Sequence, residues 1–142
     1  MKTKKPTVAL AVVCVDYRMH HPKSNFMEEL YTFLGVDKIY VVSYPGPDGL
    51  IENHSHVADR VHLEGDISRT LTVLKEHDID DVKKVLVSHT FCAGHEVTEK
   101  CHCEHTKDMA STLKNELACT DDFKPLIALK GEDDYHWTIT EV

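Results

Sequence analysis

The sequence lacks several features that would place it in other protein classes. No apolar stretch approaches the ~20 residues that a membrane-spanning helix requires, so we do not expect an integral membrane protein. Basic residues are few: Lys and Arg total 16 against 24 for Asp and Glu, and the formal net charge is -8. This charge disfavours nucleic acids and anionic membranes as partners. Repeats, low-complexity tracts and interdomain linkers are missing as well, so we expect residues 1–142 to form a single domain.

Cysteine usage indicates a reducing compartment. The chain has 5 cysteines, an odd number, and no convincing export signal, so a disulfide framework is not expected. The apolar run from Thr7 to Val13 follows several lysines and imitates a short signal peptide with Cys14 as a lipid-modified residue. Asp16 and Arg18 follow at once, however, and a buried strand explains the run better. We therefore predict a cytoplasmic protein.

Four apolar runs are predicted to be strands, and they span Thr7–Val15, Lys38–Val42, Val82–Ser88 and Pro125–Leu129. The first does not alternate with polar residues, as expected of a central parallel strand covered on both faces. The last segment differs, because it alternates Tyr135, Trp137 and Ile139 with polar residues. That period of two predicts an antiparallel edge strand whose packed face carries Tyr135 and Trp137.

Helical patterns separate these runs. Asn25 is predicted to cap a first helix that ends at Gly35, and Asp66 to cap a second one. A third helix is expected around Lys107–Leu117, whereas the stretch Ile51–Leu63 has no clear pattern. Together these elements predict an α/β fold. It has a mostly parallel central sheet of about four strands flanked by helices, with an antiparallel C-terminal edge strand.

Two groups of chemically active residues follow predicted strands. Cys14, Asp16 and Arg18 come after the first strand, and His89 and Cys92 after the third. Open parallel sheets bind ligands beyond the carboxyl ends of their strands, so the two groups should meet in one site. Two thiolates and one imidazole are good zinc ligands, and three ligands leave a fourth position open, which is the catalytic pattern. If the chain stays extended, Arg18 lies on the same side as Asp16 and can pair with it.

These motifs resemble those of the β-class carbonic anhydrases, which carry Cys-x-Asp-x-Arg after an early strand and His-x-x-Cys after a later one. The resemblance runs from about Val8 to Trp137. It implies a Zn²⁺ ion held by Cys14, His89 and Cys92, with Asp16 and Arg18 as the catalytic pair. Asp16 would either orient the zinc-bound water or occupy the fourth position in a resting form.

The resemblance also implies an activity and an assembly. The activity is reversible hydration of carbon dioxide to bicarbonate, a small-molecule reaction of the carbonate dehydratase type, and the assembly is a homodimer. Val15, Phe91 and Tyr44 are candidates for the apolar wall against which CO₂ would lie. A histidine would carry the proton away, and the candidates in predicted loops are His20, His21, His54 and His56.

Three departures from the family pattern keep other functions open. Tyr17 stands where a serine is common, Ala93 follows the second cysteine in place of glycine, and Ser43–Gly46 replaces the usual pocket loop. All three affect the surroundings of the metal, where substrate choice is decided. The alternatives are a hydrolase of carbon disulfide or carbonyl sulfide, and a catalytically silent zinc-binding relative.

A second cluster, Cys101 to His105 with His95 upstream, could bind another metal or form a redox pair. A thiol redox protein would use Cys92 with Cys101 or Cys103. The plainer interpretation is a polar, partly helical surface segment, and only one site is expected. Cys119 is interpreted as a core residue.

Overall fold

The computed structural model describes residues 5–51, 57–93, 95–117 and 122–142. Within these ranges the elements follow one another as β1 (Val8–Val13), α1 (Tyr17–His20), α2 (Phe26–Leu34), β2 (Lys38–Ser43), a 3₁₀ helix (Pro47–Ile51), α3 (Val57–Glu76), β3 (Val82–His89), α4 (Glu99–Glu116), β4 (Phe123–Lys130) and β5 (Trp137–Glu141).

The strands form one sheet with the order β2-β1-β3-β4-β5. Strands β1 to β4 run parallel, and β5 pairs with β4 in the antiparallel direction. This topology confirms the predicted α/β fold. All six residues of β1 are buried, because the strand lies between β2 and β3 and has both faces covered. That position explains why its sequence does not alternate.

Helices cover both faces of this sheet. The odd-numbered residues of β1 belong to one core together with the buried side chains of α2 and with Trp137. The even-numbered residues belong to a second core with the buried side chains of α3 and α4. The period of two along β1 thus divides the apolar side chains between two layers.

Helix α3 is longer than the sequence predicted. It begins at Val57, so the prediction that Asp66 caps it is wrong, and Asp66 lies in the helix interior. The buried stripe of Ile67 and Leu74 continues upstream to Leu63. The helix therefore includes part of the stretch Ile51–Leu63, in which the sequence shows no clear pattern. Residues 52–56 of that stretch lie outside the described residues.

Helix α4 likewise begins before its predicted start. Its first residue is Glu99, and the side chain of Thr98 caps it by accepting a hydrogen bond from the backbone N–H of Cys101 (3.2 Å). The buried face of these first turns is polar rather than apolar, since it carries His102 and Thr106. Hydrophobic periodicity therefore could not reveal them. The segment predicted as a surface cluster is helical, as expected, but His102 is fully buried.

Hydrogen bonds connect the residue that precedes α2 with the first residue of β5. Asn25 stands at the N-cap position, yet its side chain makes no cap hydrogen bond, so the predicted capping role is wrong. Instead its amide donates to the carbonyl oxygen of Trp137 (3.2 Å) and accepts from the Trp137 N–H (2.7 Å). Tyr135 lies just before β5, half-buried and stacked on His21. Only Trp137 of the two predicted aromatics thus belongs to the packed strand face.

In the described part of the chain, the helices are all too short or too polar to cross a membrane.

Candidate metal centre

The carboxyl ends of β1 and β3 lie side by side, since these two strands pair in parallel register. Cys14 follows β1 directly, His89 is the last residue of β3, and Cys92 lies in the loop after β3. All three side chains are buried, with 3%, 1% and 2% of their surfaces exposed. The structure therefore brings together the three residues that the sequence marked as ligands.

The distances within this group suit a bound metal ion. The sulfur atoms of Cys14 and Cys92 lie 3.7 Å apart and form no disulfide, and the ligand atoms of all three residues lie within 4.8 Å of one another. Two thiolates bound to a tetrahedral metal at ~2.3 Å are about 3.8 Å apart. The observed sulfur separation matches that value.

His89 is oriented as a metal ligand would be. Its Nδ1 donates to the carbonyl oxygen of Thr90 (2.8 Å), so the lone pair resides on Nε2. Nε2 is buried without a hydrogen-bond partner among the described residues. The edge of the ring packs against Trp137, with centroids 5.6 Å apart. A buried nitrogen without a partner is costly, and a metal ion at this place would satisfy it.

Electrostatic interactions favour the ligand form of Cys14. A hydrogen bond from Cys92 lowers the pKa of Cys14 to about 4 despite burial, assisted by His89 and by the N–H of Gly46, 3.4 Å from the sulfur. Burial lowers the pKa of His89, but its interaction with the Cys14 thiolate outweighs this and raises that pKa above its ordinary value. A metal ion must therefore displace a proton from this group when it binds.

Asp16 and Arg18 form a close ion pair beside the three ligands. Asp16 Oδ1 accepts from the Arg18 backbone N–H (2.9 Å) and Nε (3.0 Å), and Oδ2 accepts from Nη2 (2.7 Å). Burial raises the pKa of Asp16, but these bonds overcome it and hold that pKa below its ordinary value. Asp16 Oδ2 lies 3.8 Å from His89 Nε2. The carboxylate is thus charged and directed at the ligand group.

The pairing arises differently from the predicted extended chain. Asp16 is the N-cap of α1, and Arg18 lies in the first turn of that helix. Arg18 also donates to the carbonyl oxygen of Phe91 (2.8 Å) and stacks over Trp137 at 5.9 Å. The loop after β3 and the start of β5 therefore help to fix the guanidinium.

An open pocket of about 500 Å³ lies in front of this group, and its lining includes Val15 and Phe91, as predicted. Phe91 has a backbone φ of 57° and is 71% exposed, so its ring forms the rim. The prediction for Tyr44 is wrong, because it packs against the core on the α3 side of the sheet. Its neighbour Pro45 contacts the pocket instead.

The predicted proton carriers have mixed positions. His20 Nε2 donates to the carbonyl oxygen of Cys14 (2.8 Å), which places it next to the centre. His21 is stacked on Tyr135, and His54 and His56 lie outside the described residues. Of the two that the structure describes, the geometry favours His20.

The redox alternative gains no support from the described cysteines, none of which forms a disulfide. Cys92 has Cys14 as its sulfur neighbour, while Cys101 and Cys103 are free, half-buried thiols in α4. Burial and the charge of Glu99 raise the pKa of Cys103, which makes it a poor thiolate nucleophile. Cys119 lies outside the described residues.

Sequence reasoning missed Asp48, which is buried and bonded to His102 Nδ1 at 2.6 Å. Asp48 stands in a Pro-Asp-Gly sequence that is typical of an exposed turn. Together with His95 and His102 it forms a second group in which ligand atoms lie within 4.8 Å of one another. The described residues therefore contain a second group of potential metal ligands besides the one that the sequence predicts.

Comparison with known proteins gives one finding. Residues 4–122 match the model of a family described as "Putative carbonic anhydrase", and this range includes every residue of the Cys14, His89 and Cys92 group. Searches among curated proteins and among solved structures found no match. The matched range covers most of the chain, in agreement with the α/β fold and the buried metal-binding group. The chain therefore belongs to this carbonic anhydrase family.

Proposed function

We propose that this protein is a zinc-dependent enzyme that hydrates carbon dioxide to bicarbonate reversibly. The observation that carries the proposal is the Asp16–Arg18 ion pair directly beside the buried Cys14, His89 and Cys92 group. A purely structural metal site needs no charged carboxylate held at its edge. A catalytic one needs an acceptor for the attacking water.

Zinc is the metal that the donor set fits best. Cys14, His89 and Cys92 supply two thiolates and one imidazole, and three protein ligands leave one position for water or substrate. The 3.7 Å sulfur separation and the buried Nε2 of His89 support the same choice. When bound, zinc supplies a Lewis acid that lowers the pKa of a water molecule towards neutrality.

The side chains around the metal have distinct roles. Asp16 Oδ2 would accept a hydrogen bond from the attacking water and so direct its lone pair at the substrate carbon. Arg18 keeps Asp16 charged and, through three hydrogen bonds, restrains it from moving onto the metal as a fourth ligand. His20 is exposed and bonded to the carbonyl of Cys14, and it is the nearest candidate for taking the proton to solvent.

The pocket favours carbon dioxide over its sulfur analogues. Val15 and Phe91 offer apolar surface to a small linear molecule, but the rim is open: Tyr17 is 67% exposed and Phe91 71%. A narrow apolar entrance would favour carbon disulfide or carbonyl sulfide, and this pocket has no such entrance among its described residues. The silent relative is disfavoured because it gives Asp16 and Arg18 no reason to lie beside the metal group.

Three further predictions stay untested. They are the homodimer, the cytoplasmic location and the organisation of residues 1–142 as one domain. Size measurements on the intact protein would check the first of these.

The decisive experiment separates metal binding from catalysis. We would measure zinc per chain and CO₂ hydration by stopped flow for the parent and for Asp16→Asn, which keeps the size of the side chain and removes its charge. We expect zinc to stay bound while hydration falls by about 10–100-fold. The matched control is Asp66→Asn on the exposed face of α3, which should change neither quantity.

Two outcomes would redirect the proposal. Parent protein with zinc but without hydration would exclude carbonic anhydrase activity and leave a sulfur substrate or a silent relative. Full hydration in Asp16→Asn would exclude the role that we assign to Asp16.

A further inference from the structure

A second histidine-rich group lies where the 3₁₀ helix packs against the start of α4. Asp48 belongs to the 3₁₀ helix, His102 and His105 to α4, and His95 to the loop before α4. Each of Asp48, His95 and His102 offers a ligand atom, and these atoms lie within 4.8 Å of one another. None of these residues takes part in the proposed hydration of CO₂.

His102 is the centre of this group. Its side chain is fully buried, and its Nδ1 lies 2.6 Å from Oδ2 of Asp48, which is itself only 1% exposed. Its Nε2 is also buried and has no hydrogen-bond partner among the described residues. A carboxylate on one ring nitrogen fixes the ring and makes the other nitrogen a stronger ligand, as is common at metal sites.

The two buried histidines among the described residues share this arrangement. In His89, as in His102, Nδ1 is hydrogen-bonded and Nε2 is buried without a partner in the described part of the chain. For His89 the metal-binding group explains the unsatisfied nitrogen. A purely structural role for the Asp48–His102 pair would leave the nitrogen of His102 unexplained, because buried polar atoms are nearly always satisfied.

His95 is held against the same group by close packing. Its ring centroid lies 5.5 Å from that of His102, and its Nε2 lies 2.8 Å from Nδ1 of His105. A Cβ atom at Gly49 would lie only 2.6 Å from Nδ1 of His95. The position of the His95 ring therefore depends on a glycine at position 49.

We propose that His95 and His102, the latter through Nε2, bind a second divalent metal ion, and that Asp48 orients His102 from the opposite ring nitrogen. Imidazole donors suit zinc and nickel. Asp48 contributes negative charge and orients His102, and His105 supports His95 from α4. Because no cysteine is in this ligand set, the second site differs in spectroscopic signature from the first.

Cobalt titration of the metal-free full-length protein tests the proposal. Cobalt in the Cys14, His89 and Cys92 group should give a thiolate-to-cobalt charge-transfer band, and a second equivalent should add ligand-field bands without it. In His95→Gln we expect the second equivalent to be lost and the charge-transfer band to stay. His62→Gln on the exposed face of α3 is the matched control and should bind both equivalents.

Further variants guard against misfolding and against failure of the first site. Gly49→Ala keeps every ligand but displaces the His95 ring, so it should lower the affinity for the second equivalent of cobalt alone. The matched control is Gly65→Ala, whose methyl group would meet no atom within 4 Å and should leave both affinities unchanged. Asp48→Asn should lower the affinity for the second equivalent by about 10–100-fold. Cys92→Ser should lose the charge-transfer band and still bind the second equivalent, independently of any hydration activity.

The proposal fails if the parent binds one equivalent of cobalt and Cys92→Ser binds none. It also fails if His95→Gln, folded as judged by circular dichroism, still binds two equivalents as tightly as the parent. If the parent binds both equivalents of metal but does not hydrate CO₂, the proposed enzymatic function is wrong and the proposal of a second metal site is unaffected.

Discussion

In both buried histidine groups a hydrogen bond at Nδ1 fixes the ring and leaves Nε2 available, but the neighbouring donor atoms differ. At the strand ends, His89 is fixed by a backbone carbonyl and lies beside two cysteine sulfur atoms. Beside α4, His102 is fixed by the carboxylate of Asp48 and lies beside another imidazole. The first group opens onto a pocket that contains an Asp–Arg pair. The second has no such pair among its described residues. The comparison teaches that a buried histidine with an unpartnered nitrogen marks a binding group, whereas an Asp–Arg pair facing a pocket beside it marks a catalytic one.

Removal of metal should separate the two groups most strongly. A ligand that binds only the folded state adds about 4 kcal/mol of stability at 1,000 times its dissociation constant. We expect a chelator to lower the free energy of unfolding of the parent by about that amount or more, and to have a much smaller effect on Cys14→Ser. Urea unfolding with and without chelator measures this. Equal chelator effects in both proteins would contradict the assignment of a metal site to Cys14.

Arg18→Lys tests the feature that distinguishes the catalytic group. Lysine keeps the charge but cannot reproduce the paired contacts from Nε and Nη2 to Asp16. We expect kcat/KM for CO₂ hydration to fall by about 10–100-fold while zinc content stays at the parent level. Arg69→Lys on the exposed surface of α3 is the control. An unchanged kcat/KM in Arg18→Lys would remove the distinction between the two groups.

Gly49→Ala and Gly65→Ala test the packing of the second group through their opposite expected effects on the free energy of unfolding. At Gly49 the new methyl group would overlap the His95 ring, and overpacking of this kind costs about 1–3 kcal/mol. Gly65 lies in α3 with open space around it, so alanine there should stabilise the helix by about 0.5–1 kcal/mol. Thermal unfolding of the metal-free proteins measures both. Similar effects at both positions would show that His95 is not held as described.

The first group could be predicted from the sequence because its ligands follow two unmistakable strands. The apolar runs ending near Cys14 and His89 predicted parallel strands, and parallel strands bring their carboxyl ends together. Asp16 and Arg18 were also predicted to pair. The short helix that arranges them was not, because four residues are too few to show a helical period.

The second group could not be predicted in the same way. Asp48 and His102 are far apart in the chain, and each is a polar residue at a buried position. Hydrophobic periodicity treats such positions as exposed, so the early start of α4 was missed. Thr106 shows the same effect, since it is buried and donates to Ser88 Oγ (2.7 Å). Only tertiary contacts reveal that Asp48 is hydrogen-bonded to His102 and Thr106 to Ser88.

The central claim is that Cys14, His89 and Cys92 hold a zinc ion that the protein uses to hydrate carbon dioxide. The most direct test measures zinc content and stopped-flow CO₂ hydration on the same preparations of the parent, Cys92→Ser and Cys101→Ser, the last being a half-buried cysteine outside the centre. We predict that Cys92→Ser loses about one zinc per chain and nearly all activity, and that Cys101→Ser loses neither. Hydration at the parent rate in Cys92→Ser, or no difference in zinc content between Cys92→Ser and the parent, would contradict the account.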